Sequence, residues 1–324
     1  MRLPLGRAMP PVLTITLNPA VDLAAETEHV SAGPKLRLSE PVIEPGGGGI
    51  NVARVVACLG GRVRLIAALG GLTGARLQAL IADAGLDLER FDVPGETRQS
   101  LSVTDRATGQ QYRFVMPGPR WSDAMADQFM DAIDAASPAQ GWAVLSGSQP
   151  PGLDEAFPRQ LASRMQRRDV RLIVDTSGPA LDSLIKNGKA ATLWGLRMNQ
   201  GEAAAAAGHP LPDLADSLAF ARTLYERGVA QVVVLGRGAE GSVLVADRLR
   251  LSCRPPAVAV KSPVGAGDSF TGAFVLEMAQ TGDLAQALTR GTAAAAAAVT
   301  TAATELCRAE DVARLISGCM LTRH

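Results

Sequence analysis

The chain lacks several features, and each absence excludes a class of protein. Its 32 Lys plus Arg are balanced by 32 Asp plus Glu over 324 residues, so there is no basic field to hold nucleic acid or an anionic membrane. Any anion must therefore be bound by local geometry. The four cysteines, Cys58, Cys253, Cys307 and Cys319, show no CxxC spacing and no paired framework, which suits a reducing, cytoplasmic setting. All four read as buried small apolar residues. His29, His209 and His324 belong to no motif and read as incidental surface residues. The N-terminal apolar patch is broken by Pro4, Gly6 and Pro10, too short for a secretory signal or a membrane span. Residues 1–10 read as a disordered extension, or as sequence ahead of a start at Met9. No GxxxxGK[ST] occurs, which excludes a Walker-type ATPase.

What is present is an alternation. Short β-branched runs, VLTITL (12–17), VRLIAAL (63–69), WAVLS (142–146), VRLIVD (170–175) and VVVL (232–235), are mostly separated by amphipathic helical stretches. That rhythm predicts an α/β fold with a largely parallel, doubly covered sheet. In the first helical stretch Val52, Val55, Val56 and Leu59 fall on one stripe, Gly60 is the stop signal, and Asn51 and Arg54 point off the stripe. Segments 18–48 and 97–117 break the rhythm with short alternating runs, which predicts small antiparallel strands in a second sheet able to cover a cleft. The tract TAAAAAAVTTAAT (292–304) reads as an alanine-rich helix.

Three glycine-rich stretches carry the chemistry. GRGAEG (236–241) satisfies GxGxxG, but it is followed by the alternating SVLVADRLRL rather than a helix, so a dinucleotide fold is excluded. A hairpin bordering a nucleotide pocket and an ordinary turn remain. In KSPVGAGDSFTGAF (261–274), Gly265, Ala266 and Gly267 lead into a helix with Phe270, Ala273, Phe274 and Met278 on one stripe. Unpaired N–H groups at such a helix start can cradle a phosphate. Asp268 then stands where that phosphate would meet a hydroxyl, or else caps the helix. Finally, Gly46 to Gly49 precede the first helix, and four glycines in a row signal a close approach to the backbone.

Taken together, TLNPAVD, KLR, EPGGGGINVAR, TRQ, QYRFVMPG, SGSQPPG, VDTSG and VGAGDSFTGAF resemble the phosphofructokinase-B family of ribokinase-like carbohydrate kinases, from about Leu13 to Cys307. The resemblance implies one kinase domain over residues 1–324, with a mostly parallel sheet covered by helices on both faces. Segments 18–48 and 97–117 would form its β flap, or lid. It implies ATP and Mg²⁺, and phosphorylation of fructose 6-phosphate at its C1 hydroxyl. Tagatose 6-phosphate and fructose 1-phosphate are the alternative substrates, and a non-catalytic sugar-phosphate sensor is the alternative of another class.

By the same resemblance Asp268 is the base, and Gly265, Ala266 and Gly267 form the anion hole. Asp22, Gly47, Gly48, Asn51 and Ser148 contact the sugar, and Arg98 and Arg113 grip its phosphate. Lys35, Asn199, Gly236, Gly238 and Gly241 serve the nucleotide, and Glu202 serves magnesium through water. The chain departs from the family's usual residues at Arg197, Gly201, Gly236 and Pro263, which bears on ATP affinity. Independently of any resemblance, Leu101, Val103, Tyr112, Phe114 and Met116 give the flap an apolar face that one thin sheet leaves uncovered, which predicts a homodimer through the flap.

Overall fold

The computed structural model describes residues 11–188, 193–302 and 305–324. The expected N-terminal extension and the last two positions of the alanine-rich tract lie outside these. The chain runs β1 (Val12–Thr16), β2 (Ala20–Thr27), β3 (Val42–Gly46), α1 (Gly48–Cys58), β4 (Val63–Leu69), α2 (Gly71–Asp83), β5 (Leu88–Asp92), β6 (Arg98–Asp105), β7 (Gln111–Val115), α3 (Asp123–Ala136), β8 (Gly141–Ser146) and α4 (Phe157–Arg167). It continues through β9 (Val170–Asp175), α5 (Pro179–Lys186), β10 (Leu193–Met198), α6 (Gln200–Ala207), α7 (Leu214–Glu226), β11 (Ala230–Gly236), β12 (Ser242–Ala246), β13 (Leu249–Arg254), α8 (Ala266–Thr281), α9 (Leu284–Ala298), α10 (Ala309–Ile316) and β14 (Met320–Arg323).

The main sheet has ten strands in the order β14-β13-β12-β11-β10-β9-β8-β1-β4-β5. Strands β5 to β11 of that row are parallel, and β12, β13 and β14 extend it antiparallel. The parallel strands read as continuous apolar runs because both their faces are covered. On one face Leu13, Ile15, Leu145 and Val174 meet Phe129 of α3, Leu161 of α4 and Leu224 of α7. On the other, Val12, Val144 and Ile173 meet Val52 and Val56 of α1 and Phe270 and Phe274 of α8. The chain leaves β1 for β4 on one side and later returns to β8 on the other. The carboxyl ends of β1 and β8 therefore flank a switch point, where open parallel sheets bind their ligands.

The second sheet has the order β3-β2-β6-β7. It occupies the two segments expected to form the flap, but its central pair, β2 with β6, is parallel, not antiparallel. The reason lies in the connections: β2 follows β1 and β6 follows β5, and both parent strands end at the same edge of the main sheet. The two chains leave in one direction and pair as they run. The cysteine expectation is also corrected in part. Cys253 and Cys307 are buried, whereas Cys58 is exposed and Cys319 partly so.

GRGAEG forms the turn of the β11–β12 hairpin, and its arginine is the clamp. Arg237 is buried. Its Nη1 donates to the carbonyls of Leu211 at 3.4 Å and Asp213 at 2.8 Å, and its Nη2 to that of Pro212 at 3.0 Å, with Ser217 and Glu240 also in contact. Replacing Arg237 by Met leaves those carbonyls without a donor. The expected loss is about 2–4 kcal/mol of unfolding free energy, read as a lower midpoint at unchanged slope in urea; an unchanged midpoint would show that solvent satisfies them.

Candidate active site

The four glycines pack against the protein itself. A Cβ at Gly46 would lie 2.1 Å from Asp22 Oδ2, one at Gly47 2.9 Å from Thr16 Cγ2, one at Gly48 2.3 Å from Ser146 Oγ, and one at Gly49 2.4 Å from the Ile15 carbonyl oxygen. Helix α1 thus starts in contact with the ends of β1 and β8, and Gly47, at φ +111°, turns the chain into it. What comes close at the four glycines is the protein's own chain, side-chain atoms of Asp22, Thr16 and Ser146 and the Ile15 carbonyl, and the fit brings Asn51 up to Asp268.

Asp268 meets Asn51 there. Asn51 Nδ2 donates to Asp268 Oδ2 at 2.9 Å, and Ser146 Oγ lies 3.4 Å from Asp268 Oδ1. The cap of α8 is Gly265, with no side-chain bond, so Asp268 does not cap its helix but points into the crevice. Burial is the main cause that pushes its carboxyl up to about 6, and the Asp175 carboxylate adds to it. Asn51, Arg197 and Ser146 oppose the rise. The first intrahelical bond of α8 runs from Ser269 N–H to Gly265, so the N–H groups of Ala266, Gly267 and Asp268 precede it and have no acceptor within the helix. Gly267 has its own reason to lack a side chain, since a Cβ would lie 2.6 Å from Arg197 Nη1.

Ser146, Asp175 and Arg197 form one row across β8, β9 and β10, in register. Arg197 Nη1 lies 3.3 Å from Asp175 Oδ2, and Thr271 Oγ1 donates to the same oxygen at 3.0 Å. Glu202 faces this row. Burial chiefly raises its carboxyl above the ordinary range, and Asp175 adds to the rise. Its backbone N–H bonds Asn199 Oδ1 at 2.9 Å and its Oε2 accepts from Asn199 N–H at 2.8 Å. The N-x-x-E motif is therefore a capping box on α6.

On the flap sheet, Asp22 stands opposite Glu44 and Ser100. Arg98 Nε donates to the Asn18 carbonyl at 3.1 Å and its Nη1 to Ser100 Oγ at 3.2 Å. Burial raises the Asp22 carboxyl, against the pull of the Arg98 and Arg113 guanidinium groups. Arg113 is exposed on the outer strand. Asn18 Nδ2 donates to Ser148 Oγ at 3.3 Å, joining the flap end of β1 to the loop after β8.

The structure thus brings Asp268 and Asn51 together, and places Asp22, Arg98 and Arg113 on one polar surface. Lys35 lies on the exposed connection between β2 and β3. Gly236, Gly238 and Gly241 belong to the β11–β12 turn, and a Cβ at Gly241 would lie 1.9 Å from the Cys253 carbonyl oxygen. Sequence reasoning did not single out Asn18, Glu44, Ser146 or Asp175. For Ser146 and Asp175 the available signal was position, since both end a parallel strand.

An ionisable carboxylate at a helix start, set at the switch point of a parallel sheet beneath a flap carrying arginines, belongs to a phosphotransferase with an alcohol group as acceptor. The chain belongs to the pfkB family carbohydrate kinases, whose pattern matches residues 12–311. It is 37% identical over 306 residues to the ATP-dependent 6-phosphofructokinase isozyme 2 of Escherichia coli, covering 94% of this chain and 97% of that one. It is 33% identical over 262 residues to a 1-phosphofructokinase of Xanthomonas campestris, covering 80% and 81%. The solved phosphofructokinase-2 from Escherichia coli in complex with fructose-6-phosphate superposes with a TM-score of 0.87 at 35% identity, over 95% of this chain and 98% of that one. The ribokinase-like sheet expected from the sequence is the one observed.

Asp268 binds its proton more tightly folded than unfolded, because its carboxyl rises from 3.8 to about 6. The native state therefore gains from protonation, and that gain is lost as pH rises through about 6. Asp268→Asn removes the buried charge, so the margin by which the variant's stability exceeds the parent's should widen between pH 5 and pH 8, by roughly 1 kcal/mol or more. Thermal melting across that range checks the sign. A variant less stable at pH 8 than at pH 5, relative to the parent, contradicts the burial assigned to this carboxylate.

Proposed function

We propose that the protein transfers the terminal phosphoryl group of ATP to the C1 hydroxyl of fructose 6-phosphate. The observation that carries this reading is the Asn51–Asp268 contact of 2.9 Å at the start of α8, in a crevice overhung by the polar face of the flap. A carboxylate raised toward neutrality is a better proton acceptor than an ordinary one, yet it is still largely ionised at pH 7. Asp268 would take the hydroxyl proton at Oδ1 or Oδ2. The N–H groups of Ala266 and Gly267 would hold the transferring phosphoryl oxygens, aided by the positive end of the α8 dipole. Asp22 and Asn51, with the backbone at Gly47 and Gly48 and Ser148 Oγ, would orient the sugar. Arg98 and Arg113 would grip its existing phosphate in a charge-assisted fork.

On the nucleotide side, the exposed Lys35 would reach the phosphates, while Asn199 and the turn glycines Gly236, Gly238 and Gly241 would border the base and ribose. Among the described residues no group of three or more His, Cys, Asp or Glu is poised to cage a metal. Two facing carboxylates, Asp175 and Glu202, fit Mg²⁺ instead, which keeps several waters and takes few protein ligands. When bound, the ion would neutralise charge on the phosphate oxygens. No helix among the described residues is long and apolar enough to cross a membrane; by the likeness to the Escherichia coli 6-phosphofructokinase the proposed setting is the cytoplasm, and the proposed architecture is a single kinase domain.

Phosphorylation of fructose 1-phosphate is a second reading, favoured by the likeness to the Xanthomonas 1-phosphofructokinase. A coupled ADP-release assay over fructose 6-phosphate, tagatose 6-phosphate, fructose 1-phosphate and free ketoses is expected to give the highest kcat/KM with fructose 6-phosphate. Preference for fructose 1-phosphate would support the second reading, and no turnover with any ketose would support a sensor. Arg113→Ala should raise the sugar-phosphate KM about tenfold or more with little change in the ATP KM, since a charge-assisted contact contributes ~1.5–3 kcal/mol. An unchanged sugar KM removes Arg113 from the phosphate site.

We also propose a homodimer through the flap. Leu101 pairs with Phe114 and Val103 with Tyr112, so these side chains share the face opposite Asp22, and Phe114 and Met116 remain 53% and 52% exposed there. A thin sheet with one uncovered apolar face is marginal alone. Sedimentation at micromolar concentration should give a dimer that Phe114→Asp converts to monomer; a monomeric parent protein overturns the assignment.

A further inference from the structure

Asn51 presents two ends to its surroundings, and the reading above requires that the amide nitrogen face Asp268. An ionised carboxylate only accepts and so takes the nitrogen end, but a protonated one can donate and take the oxygen end, and a carboxyl raised to about 6 passes between the two forms near neutral pH. The other end of the amide holds one orientation in both. Arg54, one turn along α1, places Nη1 3.4 Å from Asn51 Oδ1. A guanidinium has donors and no acceptor, so it accepts only the oxygen end as neighbour and turns the amide nitrogen toward the carboxylate.

Arg54 is itself held from the flap. Its Nη2 donates to Glu44 Oε1 at 2.7 Å and its Nη1 also reaches the Pro45 carbonyl at 3.3 Å, both on β3. The two side chains are largely buried, at 19% and 17% exposure, so the pair is shielded from the screening that weakens surface ion pairs. Glu44 in turn stands opposite Asp22 in the flap sheet.

We infer that Arg54 is a positioning residue: held by Glu44 and Pro45 of β3, it fixes the Asn51 amide so that its nitrogen donates to Asp268, and thereby ties the place of the flap strand to the state of the base. This rests on the proposed role of Asp268, but not on which sugar is used. The groups facing Asp268 are Asn51 on α1, Ser146 on β8, Asp175 on β9 and Arg197 on β10, and Asn51 is a contributor that keeps its carboxyl from rising further. Freeing the amide to rotate withdraws that donor, so the carboxyl should titrate higher.

The test is a ¹³C NMR titration of the labelled Asp268 carboxyl, with kcat against pH as the second readout and thermal melting to confirm folding. In Arg54→Met the midpoint and the acid limb of kcat should both move alkaline by about one pH unit, and Arg54→Lys, which keeps a donor-only cation, should restore most of it. Asn51→Leu should give a similar shift. The double variant should shift no further, because both changes remove one hydrogen bond. A folded Arg54→Met that titrates like the parent overturns the proposal. Shifts that add in the double variant also overturn it, since Arg54 would then act by charge through space. The NMR midpoint needs no turnover, so a protein inactive on every ketose would sink the functional reading while leaving this one measurable.

Discussion

Everything at the crevice depends on how closely α1 passes over the ends of β1 and β8. At Gly48 and Gly49 a methyl group would collide with Ser146 and with the Ile15 carbonyl, so any side chain there would lift the helix off the sheet. The partner helix obeys the same rule, because a Cβ at Gly272 of α8 would sit 2.7 Å from Val55 Cγ1. With α1 held down on the strands and α8 held against α1, the first turns of the two helices converge. The 2.9 Å bond between Asn51 and Asp268 is the product of that packing, since interiors as dense as this transmit a displacement rather than absorb it. A methyl group added at Gly48, Gly49 or Gly272 would therefore be felt at Asp268.

The same packing concentrates negative charge. Asp175, paired with the Arg197 guanidinium, acts on both Glu202 and Asp268, and burial together with the Asp175 charge holds both carboxyls above their ordinary range. For stability alone this is a poor arrangement. It would suit the proposed site, where a proton is taken from a hydroxyl near neutral pH and a nucleotide would bind with a divalent cation. Arg197 replaces the lysine the family resemblance leads one to expect. Its Nη1 reaches both oxygens of Asp175, at 3.3 and 3.5 Å, while the flat guanidinium lies against Gly267, where only a residue without a side chain leaves it room.

Much of this was legible in the sequence, and the rest was hidden for definite reasons. The buried strands announced themselves because parallel strands covered on both faces must be apolar throughout, and VRLIVD coincides with β9 residue for residue. Asp268 was singled out because Gly265, Ala266 and Gly267 open a helix beside it, although spacing alone left a helix cap as the alternative and only the resemblance pointed to a base. The meaning of Gly46 to Gly49 was not legible, since a sequence shows that something comes close without showing what. Ser146 and Asp175 are single polar residues at strand ends, and only the register across β8, β9 and β10 aligns them. The parallel pairing of β2 with β6 was missed because strand direction follows from where the parent strands end, not from alternation within the pair.

The flap is joined to the body of the protein by two polar routes. Arg98 of β6 holds the Asn18 carbonyl at the end of β1, and Asn18 in turn holds Ser148 beyond β8. Glu44 and Pro45 of β3 hold Arg54 of α1. Both routes start from the sheet that carries Asp22, and each ends at a different wall of the crevice, the first at the β8 loop and the second at Asn51. A ligand that draws the polar face of the flap inward would load both at once, because neither contains a flexible apolar link that could take up the motion. The flap would then act on the hydroxyl's two neighbours together, Ser148 on one side and the Asn51–Asp268 pair on the other. On the proposed mechanism, the geometry of proton removal and a closure that excludes water would then be a single mechanical event.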